Sequence, residues 1–368
     1  MQFFSMLQRT GIEKVHSAAI AWLISNHNTS MTPEQKSLLI SALCGTEIVG
    51  EDFCSVETEH EYIDILIHYS KTIIAIENKI KTSEHGDQLK KYSSHIENTN
   101  TQNKRIVKVF LSLIGEKPSV SDWTARSYDD FLDKLISIES KNDIIIEFRE
   151  NLRLLVECKR EFLNNHQDFP NVFTDGSKKK QNKIEIENAS NKYQKYISEN
   201  NLETILQKFL FSRIVENINY PATHTIIAES RGNALIDFKN PNHIPHIEVD
   251  SLRINTGIQI QNGSIKVQFE SGLDEAGNPK PRDSILRAYL DKYIPMFFER
   301  LDLKSNGWRL NKPRNEKSSY YSISRNLEYQ GVNKGIQNYT FKENIESIQK
   351  SIQICEKLLT DIASEFKK

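Results

Sequence analysis

An α/β core followed by a second, α+β region is the architecture predicted by this chain of 368 residues. Three observations carry the prediction. Short apolar runs rich in β-branched residues, at 62–67, 73–76 and 105–114, read as buried strands rather than helices. Helical periodicity brackets them at 11–25, 33–44 and 84–97. Turn residues and lysines then gather over 164–183, and beyond them the pattern changes to alternating strands and long helices.

Taken in order, residues 11–25 place Ile12, Val15, Ala19, Trp22 and Leu23 on one buried helix face. A second helix starts at Thr32-Pro33-Glu34-Gln35, a cap with proline in the first turn, and Gly45 ends it after Cys44. A strand or irregular segment over 53–58 precedes the runs at 62–67 and 73–76, with 68–71 as the turn between them. The helix over 84–97 carries Gln88 and Tyr92 four apart, hence on one face. Residues 105–114 form a buried strand ending at Gly115. Trp123 to Tyr128 then leads into Asp129-Asp130-Phe131-Leu132 and helical patterns to about Phe162.

The stretch 164–183 holds Pro170, Asp175-Gly176-Ser177 and the run Lys178-Lys179-Lys180-Gln181-Asn182-Lys183, with no core periodicity. It divides the chain into a first domain over 1–163, a polar basic linker, and an accessory domain over 184–368. A solvated linker accounts for the lysines; a phosphate-contacting loop is the sharper alternative. Further on, 187–217 is helical, and 223–228, 234–238, 247–255 and 258–269 read as strands with Asn262-Gly263 as a hairpin turn. Helices over 283–301 and 342–366 follow. Trp308, Arg309, Lys312, Arg314, Tyr320 and Tyr321 interleave rings and cations, which suits stacking on unpaired bases but is also ordinary for a sheet surface.

A net charge of −1 argues against nonspecific coating of nucleic acid and leaves room for a local basic groove. Cys44, Cys54, Cys158 and Cys355 lack C-x-x-C spacing, so neither zinc nor a disulfide framework is expected, and a reducing cytoplasm is. The first residues are apolar but short and lack a basic region, so no signal peptide is expected. No apolar stretch approaches the ~18 residues of a membrane span.

The chemistry concentrates between Tyr62 and Tyr92. Asp64 sits inside one apolar run, and the next run ends in Glu77-Asn78-Lys79. Alternation along a strand puts Glu77 and Lys79 on one face and Asn78 on the other. Two carboxylates at neighbouring strand ends, with a lysine beside them, suit a divalent metal and phosphodiester cleavage. Glu-x-Lys alone carries little, since the spacing recurs at Glu34/Lys36, Glu139/Lys141, Glu157/Lys159 and Glu365/Lys367 in polar or helical surroundings. The preceding strand, Asp64 and the Gln/Tyr helix set Glu77/Lys79 apart.

Those residues resemble a known family. Asp64 followed by Glu77-Asn78-Lys79 resembles the signature of the PD-(D/E)xK nuclease superfamily, and Gln88-Leu89-Lys90-Lys91-Tyr92 resembles the Q-x-x-x-Y helix of its RecB-like branch. Glu13-Lys14-Val15-His16-Ser17 is similar to the acidic N-terminal helix of a bacterial group within it. The resemblance covers the N-terminal part only. It implies a restriction-endonuclease-like core of order α-β-β-β-α-β and a nuclease dependent on Mg²⁺ or Mn²⁺. DNA is the expected substrate, and RNA stays open because nothing identified reads a 2′-hydroxyl.

The resemblance also implies roles. Asp64 and Glu77 would hold the metal, with the Asn78 carbonyl as third ligand, and Lys79 would orient the attacking water or stabilise charge on the phosphate. Glu13 would add a carboxylate, or is an ordinary surface glutamate. Gln88 would orient water or meet the nucleic acid and Tyr92 a phosphate, or both simply pack their helix. Beside the resemblance, Lys81, Lys90 and Lys91 lie close enough in sequence to screen phosphates, or are solvated charges; His16 reads as a satisfied helix residue, and Ser17 has no acid/base partner in sequence that would make it a nucleophile. The absence of a P-loop favours endonuclease over exonuclease. Restriction, repair, recombination and phage defence are the superfamily's settings, and the accessory domain favours defence. Double-strand cutting commonly needs two active sites, which suits a homodimer; a defence-complex partner is the alternative. The competing reading is a catalytically silent nuclease fold serving as a binding or sensor subunit.

Overall fold

The computed structural model describes residues 3–84, 86–173, 192–220, 225–230, 233–238, 247–249, 252–261, 263–271, 284–312, 321–333 and 335–366. The chain separates into two compact units, Met1–Asn164 with Glu185–Leu206, and Asn165–Ile184 with Gln207–Lys368.

The first unit runs α1 (Phe3–Ile24), α2 (Pro33–Cys44), β1 (Phe53–His60), β2 (Ile63–Tyr69), β3 (Thr72–Lys79), α3 (Gln88–Thr99), β4 (Arg105–Ser112), β5 (Thr124–Ser127), α4 (Tyr128–Ile136), α5 (Asp143–Asn164) and α6 (Lys192–Asn200). Its five strands form one mixed sheet in the order β1-β2-β3-β4-β5. β1, β2 and β3 are antiparallel neighbours, whereas β3, β4 and β5 run parallel. Strand β3 is buried along its whole length, as expected of a strand covered on both faces. Leu89 and Ile96 of α3 pack with Leu66, Ile73, Ala75, Phe110 and Trp123 on one side. On the other, Asn78 reaches Glu13 and Ser17 of α1.

Local sequence explains the helix ends. The Thr32 hydroxyl accepts from the Gln35 N–H while the Gln35 side chain accepts from the Thr32 N–H, and Gly45 closes α2 at φ +68°. In the first unit's sheet, two details differ from the sequence reading. β5 is a strand that 124–127 do not announce, because Thr-Ala-Arg-Ser has no apolar pattern and its extension comes from pairing with 109–112 of β4. The turn after β2 is only Ser70-Lys71, since Phe53 and Ser55 of β1 pair with Tyr69 and His68.

The β1–β2 hairpin has an unusual tip. His60 pairs with Ile63, which leaves Glu61-Tyr62 as a two-residue turn with φ of +48° and +73°, and Glu59 beside it also lies at +55°. Both central φ positive is the pattern of a type I′ turn, where Asn-Gly is favoured. An ordinary side chain held there costs about 1–2 kcal/mol per residue.

The second unit takes in the later part of α7 (Glu203–Asn217), then β6 (Thr225–Ser230), β7 (Asn233–Phe238), β8 (Ile247–Val249), β9 (Leu252–Gln261), β10 (Ser264–Ser271), α8 (Ser284–Arg300), β11 (Arg309–Asn311), β12 (Tyr321–Asn326), the hairpin β13–β14 (Glu328–Tyr329, Val332–Asn333) and α9 (Phe341–Phe366). Its antiparallel sheet has the order β11-β12-β10-β9-β7-β6, with β8 on β9. Ile236, Phe238, Ile258, Ile260, Val267 and Ile323 form its buried apolar rows. Asp237, Gln259 and Lys266 alternate with them as a hydrogen-bonded polar row. Residues 165–173 are two short 3-10 turns with His166, Phe169 and Val172 buried. The rest of the stretch read as a linker, Asp175-Gly176-Ser177 and the lysine run included, lies outside the described residues, as do Asn262, Arg314 and Tyr320.

Trp308 and Tyr321 correct the idea of an aromatic stacking surface. Both are buried, Tyr321 donates its hydroxyl hydrogen bond to Asp291, and the Arg325 guanidinium lies 5.6 Å from the Trp308 ring centre. Among the described residues no helix is long and apolar enough to cross a membrane.

Candidate active site

The site forms where β2 and β3 lie side by side. Ile65 pairs with Ile76, which sets Asp64 across from Glu77. The Asp64 carboxylate is fixed by accepting the Asn78 backbone N–H at 2.7 Å. Glu77, almost fully buried, accepts at Oε1 from Lys79 Nζ (2.6 Å) and from Gln88 Nε2 (2.8 Å). Gln88 Nε2 also lies 2.7 Å from the Tyr92 hydroxyl, one helical turn further along α3. Asp64, Glu77, Lys79, Gln88 and Tyr92 therefore converge.

Asn78 faces the other way and ties the strand to two helices. Its Nδ2 donates to Ser17 Oγ (3.0 Å) and to the Glu13 carbonyl (3.1 Å), and its Oδ1 accepts from the Tyr128 hydroxyl at 2.7 Å. The Glu13 carboxylate does a separate task. Its Oε1 accepts from the backbone N–H groups of Ile80, Lys81 and Thr82 and from the Thr82 hydroxyl, all within 2.8–3.1 Å. Glu13 thus pins the segment that follows Lys79.

Sequence reasoning passed over three of these groups. Ser17 has no acid/base partner in sequence that would single it out, and neither Tyr128 nor Thr82 stands out by spacing. A buried tyrosine hydroxyl needs a partner, but the polar Ser127 and Asp129 on either side of Tyr128 give no sign in the sequence that it is buried. His16 is buried in α1, edge-on to Tyr128 and Phe148, and burial pushes its pKa down to about 3 against a hydrogen bond with Asn151. Lys90 pairs with Asp87 at the exposed start of α3.

The charges are strongly perturbed. Burial raises the pKa of Asp64, an effect partly offset by the Asn78 N–H and by Lys79. Burial also raises that of Glu77, and the neighbouring Asp64 carboxylate adds to it. Burial works against the Lys79 charge, but Glu77 and Asp64 outweigh it and hold its pKa above the ordinary value. Two carboxylates with one ammonium leave an excess of negative charge that favours a bound proton or cation.

One atom shows which kind of group would fit. Glu77 Oε2 is buried and has no hydrogen-bond donor, although buried acceptors are nearly always satisfied. A divalent cation between Glu77 and Asp64 would satisfy it. The donors are all oxygen, which suits a hard cation such as Mg²⁺ or Mn²⁺. Among the described residues no third acid, histidine or cysteine joins the pair, so backbone, water and phosphate oxygens would complete the shell.

No curated protein and no solved structure matches this chain. Its N-terminal part does match a family model, over residues 1–168, which contain the whole of the site. The model that matches is that of the PD-(D/E)XK nuclease superfamily.

Proposed function

We propose that the chain is a divalent-metal-dependent nuclease that hydrolyses internal phosphodiester bonds of DNA, with Asp64, Glu77 and Lys79 at the reacting phosphate. The observation that carries the reading is the buried Glu77 carboxylate, held by Lys79 and Gln88 on one oxygen and left open on the other beside Asp64. Asp64 and Glu77 would hold Mg²⁺ or Mn²⁺, with the Asn78 carbonyl as a further ligand. Bound there, the cation supplies charge neutralisation of the phosphoryl group and a lowered pKa for water.

The protein's own groups do the rest. Lys79 carries a positive charge at the site and orients the attacking water or steadies charge on the non-bridging oxygens. Gln88 fixes the Glu77 carboxylate, and Tyr92 continues the same hydrogen-bonded line toward the phosphate backbone. Glu13 holds the segment after Lys79, which makes it a positioning residue. A role in phage defence, cytoplasmic residence and assembly as a homodimer belong to this proposal and rest on the resemblance and the accessory unit.

The test is cleavage of plasmid and of single-stranded DNA by the purified chain with Mg²⁺ or Mn²⁺, beside Asp64→Ala and Lys79→Ala. Metal-dependent cutting abolished in both variants is the expected result. Mn²⁺ binding without cutting of any DNA or RNA would instead favour the binding or sensor reading.

A further inference from the structure

The hairpin tip beside Asp64 carries a feature that the fold itself does not need. Tyr62 occupies a backbone φ of +73°, which glycine or asparagine adopts more easily. Its ring is 82% exposed, the most exposed large apolar side chain among the described residues. Folding therefore gains almost nothing from burying it. The neighbouring Glu59 and Glu61 share the left-handed backbone, so the turn has no glycine anywhere to relieve it. Glu59 is tied to α1 through Lys14 at 2.9 Å, which anchors the base of the tip. A strained position with no return in packing points to use outside the fold.

Position says what that use is. Tyr62, the last turn residue before β2, lies two residues before Asp64, which keeps their backbones within about 7 Å of each other. The acids at the tip, Glu59 and Glu61, would repel a phosphate, so the ring rather than the charge is what a nucleic acid could meet. An exposed aromatic stacks on a nucleobase face without regard to sequence, and a base must be unpaired or unstacked to offer that face.

We propose that Tyr62 is a substrate-positioning residue that stacks on an unpaired nucleobase next to the phosphate held at Asp64 and Glu77. The inference rests on the nuclease reading and extends it: the preferred substrate is single-stranded or locally opened at the cut.

The experiment measures two properties that a structural role would move together. Tyr62→Asn, Tyr62→Gly and Tyr62→Phe are compared with the parent chain by thermal melting. Binding of a short fluorescein-labelled single-stranded oligonucleotide, and of its blunt duplex, is followed in parallel by anisotropy in Ca²⁺. Asparagine and glycine should raise the melting temperature yet weaken single-strand binding by about 5- to 150-fold, the equivalent of about 1–3 kcal/mol of base stacking. Phenylalanine should bind like tyrosine and melt like it. Unchanged affinity in Tyr62→Asn overturns the inference, as does a melting temperature that does not rise. Equal losses on single strand and duplex overturn the unpaired base, and a parent chain that binds neither probe overturns the whole contact. Cleavage by the parent chain, lost in Asp64→Ala, is scored separately. Tyr62-dependent binding without cleavage would sink the nuclease reading alone.

Discussion

Replacing Glu13 by alanine removes one oxygen on which four donors converge: the N–H groups of Ile80, Lys81 and Thr82 and the Thr82 hydroxyl. A carboxylate oxygen accepts about two full hydrogen bonds, so the four shared contacts amount to about two bonds to a charged acceptor, each about 1.5–3 kcal/mol. The donors are part-buried and water recovers some of that, which leaves a net loss of about 3 kcal/mol. For a unit of this size the loss lowers the melting temperature by roughly 6–12 °C. Glu13→Gln keeps an oxygen without its charge and should lose about half as much. Calorimetry of the first unit's transition measures the effect. Cleavage should fall in step with it, because the pinned segment begins directly after Lys79. Glu13→Ala melting at the parent temperature would refute the reasoning. Full stability with abolished cleavage would refute it differently, by making Glu13 a ligand rather than an anchor.

Three further outcomes are expected. Asn78→Ala strands the Tyr128 hydroxyl and removes a donor from the Glu13 carbonyl and from Ser17, whose hydroxyl still donates to that carbonyl; it should cost about 2–4 kcal/mol by urea denaturation, whereas a loss below about 1 kcal/mol would show the network to be slack. Because Asp64 and Glu77 retain protons above the ordinary carboxylate range, metal must displace them, and Mn²⁺ affinity by calorimetry should tighten as pH rises between about 6 and about 8. The slope should be about tenfold per pH unit for each proton displaced, and a flat profile would exclude the pair as ligands. His16 is neutral in the fold with its pKa held down to about 3 by burial, so its contribution is whole above about 6.5 and is lost as pH falls toward 3. The decline should be about 1.4 kcal/mol per pH unit below 6.5. His16→Asn should lose that extra acid sensitivity, and parallel urea midpoints for the two proteins would count against it.

The sequence showed the chemistry of this site more clearly than its support. Glu77 and Lys79 on one face and Asn78 on the other follow from strand alternation alone, and the hydrogen bonds place them so. Gln88 and Tyr92 at helical spacing meet as expected. What the residues of Glu13 would contact was not readable, because its partners are backbone N–H groups and every residue type carries one. Thr124–Ser127 became a strand through pairing with β4, a tertiary cause that no local pattern records. Trp308 and Tyr321 read as a surface because charged residues flank them, yet both are buried. The strained Glu61-Tyr62 turn was invisible for another reason: its residue types argue against the backbone they adopt.

The Asn78 network also fixes when this site comes into being. Its bonds join residues 61, 65 and 50 positions apart in the chain, and those of Glu13 span 67 to 69. None can form until α1 has docked on β3, and the network is complete only once the chain has been made as far as Tyr128. Contacts of such separation close late in folding, after local helices and hairpins. A chain in which α1 has not yet docked would therefore carry the Glu-Asn-Lys triplet without its anchor. On the nuclease reading, catalytic competence becomes a property of the finished unit rather than of the triplet.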